Sequence, residues 1–353
     1  MKTHTSTSRR SFLGLTAATL ATVSMVGIAK SATAEKTRLP IGFMGVTHSH
    51  GLEKLKVIMA SPDYELVGVC EPDEAARTLC EKLGAKLVTQ TELLERSQVV
   101  AVESAVRDHA RQAMLVLKAG KHVHVEKPAA TNLEDMRTLI ALAKEKKRLL
   151  QCGYMWRYHP GLNAMLEAMR QGWLGDVFLI RASIVNSLPA VRRGEWAEFA
   201  GGSMFELGSH LVDATVRFLG KPKSVTPFLR RHGRFNDDFK DNNVAVLEFD
   251  SAMAVLTNTS LQGASTPARA FEVLGTRGSA ILQPIEPPEL KFDFLAAVGP
   301  YQKGRQTVPL TYRRYEADFV ELAAAMRGER ALTVSLDQEL LVQETVLRAS
   351  GML

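Results

Sequence analysis

The chain has only three cysteines in 353 residues, Cys70, Cys80 and Cys152, and no Cys-x-x-Cys pair. An odd count leaves at least one thiol unpaired, and without close spacing neither a thiolate zinc site nor a dithiol redox centre is expected. Each cysteine lies in an apolar or helical run, which points to buried, inert thiols. The first 34 residues contain no acid, and the rest shows no low-complexity tract or internal repeat. Nothing in the composition marks disorder, collagen or a coiled coil. The formal charge is +6, but Lys2, Arg9, Arg10 and Lys30 all fall in the acid-free start, so about +2 remains for the rest. So small an excess argues against a nucleic-acid surface. With 46% hydrophobic residues the chain can bury a large core, and its length favours two domains.

The apolar run in the acid-free start is also short, ending at Ile28, below the roughly 20 residues that a spanning helix needs. A polar beginning, the stretch "SRRSFLG" at 8–14, the apolar run and "ATA" at 32–34 together form a twin-arginine export signal. Residues 1–34 are therefore expected to be removed after Ala34, giving a periplasmic or extracytoplasmic protein without stable membrane insertion. This route carries proteins that have already folded, often around a cofactor, so a site assembled before export is expected.

From Leu39, short apolar strands alternate with helical runs: "LPIGFMGV", "YELVGVCEP", "AKLV", "QVVAVESA", "KHVHVEKP" and "RLLQCGY" are separated by amphipathic stretches. This alternation implies a doubly wound parallel sheet with right-handed crossovers over 35–153, an α/β Rossmann domain. After a connecting helix at 160–172, residues 154–353 hold six further strand-like runs separated by turn residues. They imply an α+β domain with an open, mostly antiparallel sheet, interrupted by one helix over 203–219 and closed by helices at 315–327 and 336–349. Such an open sheet suggests a homodimer or homotetramer.

Four stretches carry chemistry. "IGFMGVTHSHG" places Gly42, Gly45 and Gly51 around a strand-to-helix turn, but Thr47 and His50 stand where a dinucleotide fingerprint has glycines. A hydroxyl at Thr47 can reach a phosphate, and His48 or His50 can lie against the pyrophosphate or face the cleft. Glu71 ends the second strand 26 residues after Gly45, where a carboxylate can accept both ribose hydroxyls and repel a 2′-phosphate; with Asp73 beside it, NAD is favoured over NADP. "EKP", Glu126 to Pro128, puts Lys127 at the carboxyl edge of the sheet, where ligands of such sheets bind. In "GGSMFELGSHLVDA", Glu206, His210, Asp213 and Arg217 share one helix face, either a solvated face or a general acid/base histidine oriented by the carboxylate one turn earlier.

A metal reading would join His48 and His50 to His122 and His124, four imidazoles at the ends of two strands. No later run supplies a completing ligand, and the element order is not that of an eight-stranded hydrolase barrel, so no metal is expected.

Taken in order, the strand-turn at 42–47, Glu71, "AGKHVHVEKP", "GYMWRYHP", "GWLGDV" and "GGSMFELGSHLVD" resemble the Gfo/Idh/MocA oxidoreductase family. That resemblance implies oxidation or reduction of a sugar, polyol or related compound with a nicotinamide cofactor. It gives Lys127 a place beside the nicotinamide and the reacting hydroxyl, and His210 the role of taking the hydroxyl proton. Glu206 stands where most members have aspartate, lengthening the arm of that carboxylate. Arg157, Tyr158, His159 and Asp213 are expected at the substrate cleft, with Trp156 or Trp196 available to stack on a sugar. Free NAD is scarce outside the cytoplasm, so an exported member is expected to retain its cofactor and regenerate it in place. Two other readings stay open: a redox-neutral, NAD-dependent glycosidase of the same fold, and a non-catalytic nucleotide or sugar sensor.

Overall fold

The computed structural model describes residues 36–353, so the expected export signal lies outside the described residues. Five strands, β1 (Leu39–Met44), β2 (Tyr64–Cys70), β3 (Val99–Val102), β4 (His122–Val125) and β5 (Leu150–Cys152), form a wholly parallel sheet in the order β2-β1-β3-β4-β5. The run "AKLV" contributes a single bridge from Leu87 to Val69 rather than a strand. Strands so short and so apolar, with β3 buried along its length, need cover on both faces. That cover comes from α1 (Gly51–Ala60), α2 (Glu74–Lys82), α3 (Gln90–Arg96), α4 (His109–Lys118) and α5 (Leu133–Lys146). Asp73, Thr89 and Asn132 cap α2, α3 and α5 by accepting backbone N–H groups of the first turn, which sets where each crossover re-enters a helix.

Eight strands make the second sheet: β6 (Val177–Val185), β7 (Ser224–Arg230), β8 (Asn242–Glu248), β9 (Met253–Thr259), β10 (Ala270–Gly275), β11 (Gly278–Leu282), β12 (Leu290–Phe294) and β13 (Gly304–Val308). Their order is β13-β12-β11-β10-β6-β9-β8-β7, antiparallel except for the β6–β9 pair. The last two strands extend beyond the six runs read from the sequence. Helices α6 (Pro160–Arg170), α7 (Ala190–Ala197), α8 (Gly202–Glu206), α9 (Ser209–Leu219), α10 (Glu316–Met326) and α11 (Leu336–Ala349) complete the described chain. The expected helix over 203–219 is two helices, α8 and α9, broken at Leu207–Gly208, and α7 was not expected at all. A Cβ on Gly208 would lie 2.5 Å from Met204 Sδ, so only glycine allows the close turn between α8 and α9. Phe319, Leu322 and Ala323 of α10 pack with Ile41, Phe43 and Val69 of the first sheet, so the C-terminal part of the chain returns to the parallel layer.

Candidate active site

The carboxyl ends of β1, β3 and β4 lie side by side, and the residues that follow them, Gly45, Glu103 and Glu126–Lys127, share one edge of the sheet. Two clefts run along that edge. One, of about 570 Å³, is bordered by Met44, Cys70, Arg77, Val88 and Gln112. The other, of about 390 Å³, is bordered by Thr47, His48, Ser104, Trp196 and Glu206, and both touch Glu71. Glu71 is buried. Its Oε2 accepts the Val46 N–H at 2.7 Å and its Oε1 the Asp73 N–H at 2.9 Å, which holds the carboxylate at the junction with lone pairs to spare for hydroxyl donors.

The turn fits a dinucleotide on its own geometry. Gly45 has φ +77°, and a Cβ there would lie 2.5 Å from Ser104; a Cβ on Gly51 would lie 2.6 Å from the Val46 carbonyl oxygen. Both glycines bring backbone closer than a side chain permits, and no side chain caps the N-terminus of α1, the end that favours anions. Thr47 is exposed at the cleft. Gly42 has a different role: it sits within β1, where a Cβ would strike Leu93 of α3 at 2.4 Å, so it serves packing rather than the cofactor.

Behind the second cleft lies a buried polar cluster. Lys127 Nζ donates to Glu206 Oε1 at 2.8 Å and to the Glu206 carbonyl oxygen at 3.0 Å. His50 N–H donates to His48 Nδ1 at 3.2 Å, which leaves the proton on His48 Nε2 to be donated to Glu206 Oε1 at 3.1 Å. His48 and His50 therefore face inward rather than clamp a pyrophosphate. On the other side, the fully buried Lys54 donates to Glu103 Oε1 at 2.8 Å, to Glu126 Oε2, and to His124 Nε2 at 2.8 Å. Glu126 Oε1 accepts the Lys127 N–H at 2.9 Å, so Lys54 fixes the residue next to the lysine at the cleft.

His210 is almost fully buried against Trp156, the ring centroids 5.2 Å apart, and its Nδ1 has no hydrogen-bond partner among the described residues. The expected orienting bond from Glu206 to His210 is not made, because the break after α8 turns Glu206 toward Lys127 and His48. Burial, and next the Lys127 charge, hold His210 well below the usual imidazole range. Burial pushes His50 down to about 3 although Glu126 opposes it. Both rings are neutral free bases at ordinary pH, because withdrawal from water outweighs the carboxylates. Burial works against ionisation of Glu206 and Glu126, but Lys127 and His48 keep the first below the carboxylate range, and Lys54 with His50 keeps the second there. Glu103, with Glu126 close by, is pushed up to about 8, chiefly by burial.

The residues expected to hold substrate divide into two groups. Trp196 borders the second cleft. Arg157, Tyr158 and Asp213 do not: the buried Arg157 guanidinium is spent on Asp213 Oδ1 at 2.8 and 2.9 Å and on Glu339 at 2.6 and 2.8 Å, and Tyr158 Oη donates to Glu321 while accepting from Gln151. His159 caps α6, and Trp156 lies beneath His210. These residues tie β5, α9 and α11 together; apart from Asp213 Oδ2 and Trp156 Nε1, which have no hydrogen-bond partner among the described residues, their side-chain polar atoms are engaged within the fold, which corrects their placement at the substrate. His122 donates nothing to a four-histidine set either, since it lies at the start of β4 and its Nδ1 accepts the Leu149 N–H. The expectation that nothing completes a set around His48 and His50 needs revision, because one donor atom each of His48, His50 and Glu126 lie within 4.8 Å of one another. Lys54 and Glu103 carried no signal in the sequence, and His124, weighed there only as a metal ligand, is a partner of Lys54.

Comparison with known proteins agrees with this geometry. A family model described as "Oxidoreductase family, NAD-binding Rossmann fold" matches residues 39–154, and one described as "GFO/IDH/MocA C-terminal domain" matches residues 162–281. The chain is similar to the uncharacterized oxidoreductase YdgJ of Escherichia coli (strain K12), 24% identical over 336 residues, covering 87% of this chain and 94% of that protein. It is also similar to the scyllo-inositol 2-dehydrogenase (NADP(+)) IolW of Bacillus subtilis (strain 168), 25% identical over 264 residues, 68% of this chain and 72% of that one. Among solved structures, GenD2 from gentamicin A biosynthesis in complex with NAD has a TM-score of 0.75 at 25% identity, covering 92% of this chain and 97% of its own.

Proposed function

The chain belongs to the Gfo/Idh/MocA family of NAD(P)-dependent oxidoreductases, and from that premise we propose that it oxidises or reduces a CH–OH group of a sugar, polyol or derivative, using NAD. The observation that carries this reading is the placement of Lys127, Glu206 and the neutral His210 in one buried group behind the cleft that Glu71 borders. Gly45, Thr47 and Glu71 would hold the dinucleotide, with Glu71 taking the ribose hydroxyls and disfavouring a 2′-phosphate. When bound, the nicotinamide supplies the hydride acceptor.

This chain's own residues handle the proton and the charge. Loss of hydride from a carbinol carbon requires its oxygen to lose a proton at nearly the same time, and His210, held neutral by burial, takes that proton. Lys127 stabilises developing negative charge on the oxygen, while Glu206 keeps the Lys127 ammonium in place. Glu126, fixed by Lys54, sets the backbone at Lys127. Trp196 forms a wall against which a sugar face can stack.

Residues 1–34 direct the folded protein across the membrane, and the cofactor travels with it and is regenerated in the same site. A homodimer or homotetramer would form through the second sheet, whose strands carry the exposed apolar side chains Phe178, Phe228 and Met253. Purification and spectroscopy test the enzyme reading. The protein should carry or bind NAD more tightly than NADP, and sugars or polyols should change the nicotinamide absorbance. A protein that binds neither nucleotide and converts no sugar is a sensor or scaffold.

A further inference from the structure

The geometry points to a divalent-metal site of the two-histidine, one-glutamate class at the head of β4, formed by His48, His50 and Glu126 with an open coordination position toward the substrate. One donor atom from each of the three lie within 4.8 Å of one another. His50 Nδ1 and Glu126 Oε1 are 3.3 Å apart, already the separation of about 3.3 Å that two donors have around an ion bound at about 2 Å. His50 Nδ1 is buried and has no hydrogen-bond partner among the described residues.

Of the three donors His50 Nδ1 is unengaged, and Glu126 Oε1 keeps a second lone pair beside the bond it accepts from the Lys127 N–H. Glu206 Oε1 accepts from His48 Nε2, the carboxylate–imidazole contact that orients a metal-ligating ring. It leaves Nδ1 of that ring engaged only by the long 3.2 Å bond from the His50 N–H, which an ion can replace. Lys54 holds Glu126 through Oε2, so Oε1 is the oxygen turned toward His50. Glu126 and Glu206 face the two ammonium groups Lys54 and Lys127, and Lys54 also reaches Glu103. Two imidazoles and a carboxylate suit a borderline ion such as Zn²⁺ or Co²⁺ more than Mg²⁺ or Ca²⁺. Three protein ligands leave one position free, and on the oxidoreductase reading the substrate oxygen occupies it beside Lys127; occupancy by metal does not depend on that reading.

Co²⁺ is the probe. Full-length protein is stripped with chelator and titrated with Co²⁺ while its visible d–d bands, its melting temperature and, in the same samples, its NAD binding are followed. One equivalent of Co²⁺ should bind with the bands of a four- or five-coordinate ion and raise the melting temperature. His50→Ala should weaken binding by more than about 100-fold, beyond the cost of losing an outer contact, and its melting temperature should not respond to Co²⁺. Glu126→Gln, the second variant, should do the same. Less than one equivalent bound, or unchanged affinity in a folded His50→Ala protein, would overturn the site. If NAD still binds in that case, only the metal assignment falls; if Co²⁺ binds and NAD does not, the metal site stands and the oxidoreductase reading falls.

Discussion

Lys54→Met tests the buried cluster on which the site is built. Lys54 is fully buried, and its ammonium is the shared partner of Glu103, Glu126 and His124. Methionine preserves the volume and removes the charge, so two carboxylates remain withdrawn from water. Breaking a buried pair in this way costs about 3–5 kcal/mol. At roughly 2–4 °C per kcal/mol for a large domain, melting should fall by about 6–20 °C. The loss should also depend on pH. In the parent protein Glu103 holds its proton up to about 8, against about 4.5 when unfolded. The folded state therefore binds more protons between those values, and this group's contribution to stability falls as pH rises. Glu126 has the opposite sign while Lys54 is present, since its folded value is depressed and its contribution is lost only as pH falls. Without Lys54 both carboxylates favour the protonated form, so the deficit against the parent should be larger at pH about 8 than at about 5. Thermal melts of both proteins at each pH read this directly, with Lys54→Arg as the charge-preserving control. A Lys54→Met protein melting within about 3 °C of the parent at both values would refute the assignment of Lys54 as the cluster's counter-ion.

Other perturbations separate the roles of neighbouring residues. His210→Ala should lower kcat by about 10²–10⁴-fold with NAD affinity unchanged in a fluorescence titration; full activity would remove its base role. Glu71→Ala should weaken NAD by about tenfold or more, through the lost ribose contact, and narrow the preference over NADP. Arg157→Met should cost about 3–5 kcal/mol in chemical denaturation, with KM unchanged if its place is structural; a rise in KM without loss of stability would return it to the substrate. Burial holds His50 and His124 at about 3, and His109, His122 and His159 at about 4. In each case the unfolded chain takes up the proton first, so stability should fall steeply as pH drops from about 6.5 to 4; a flat melting profile over that range would contradict the burial of these rings.

The strands and crossovers were legible because alternating apolar runs and helical spacing are local signals, and the Gly45 turn, Glu71 and "EKP" each stand at a strand end. What escaped depends on contacts across the fold. Lys54 lies in "GLEKLKVIMA" between Glu53 and Leu55 and reads as one more solvated helix position; only Glu103 and Glu126, brought beside it by the parallel pairing of β3 and β4, make its burial stable. Glu206 and His210 keep helical spacing in the sequence, yet the break at Gly208 separates α8 from α9 and turns the carboxylate to Lys127. Arg157 and Asp213 looked like cleft residues because they border the motifs, but Glu339, far along the chain on α11, completes their pair. Gly42 had the identity of a fingerprint residue and the position of a packing one.

The claim that Lys127 and His210 act on a carbinol through nicotinamide is tested most directly by single turnover. Purified protein with NAD is mixed with a panel of sugars and polyols, carbinol-deuterated where a substrate responds, and reduced nicotinamide is followed by absorbance. At least one substrate should reduce the cofactor, deuterium should move to the nicotinamide ring, and His210→Ala should bind NAD but show no such transfer. Transfer at the parent rate in His210→Ala, or NAD bound with no hydride transfer from any sugar or polyol, would contradict it.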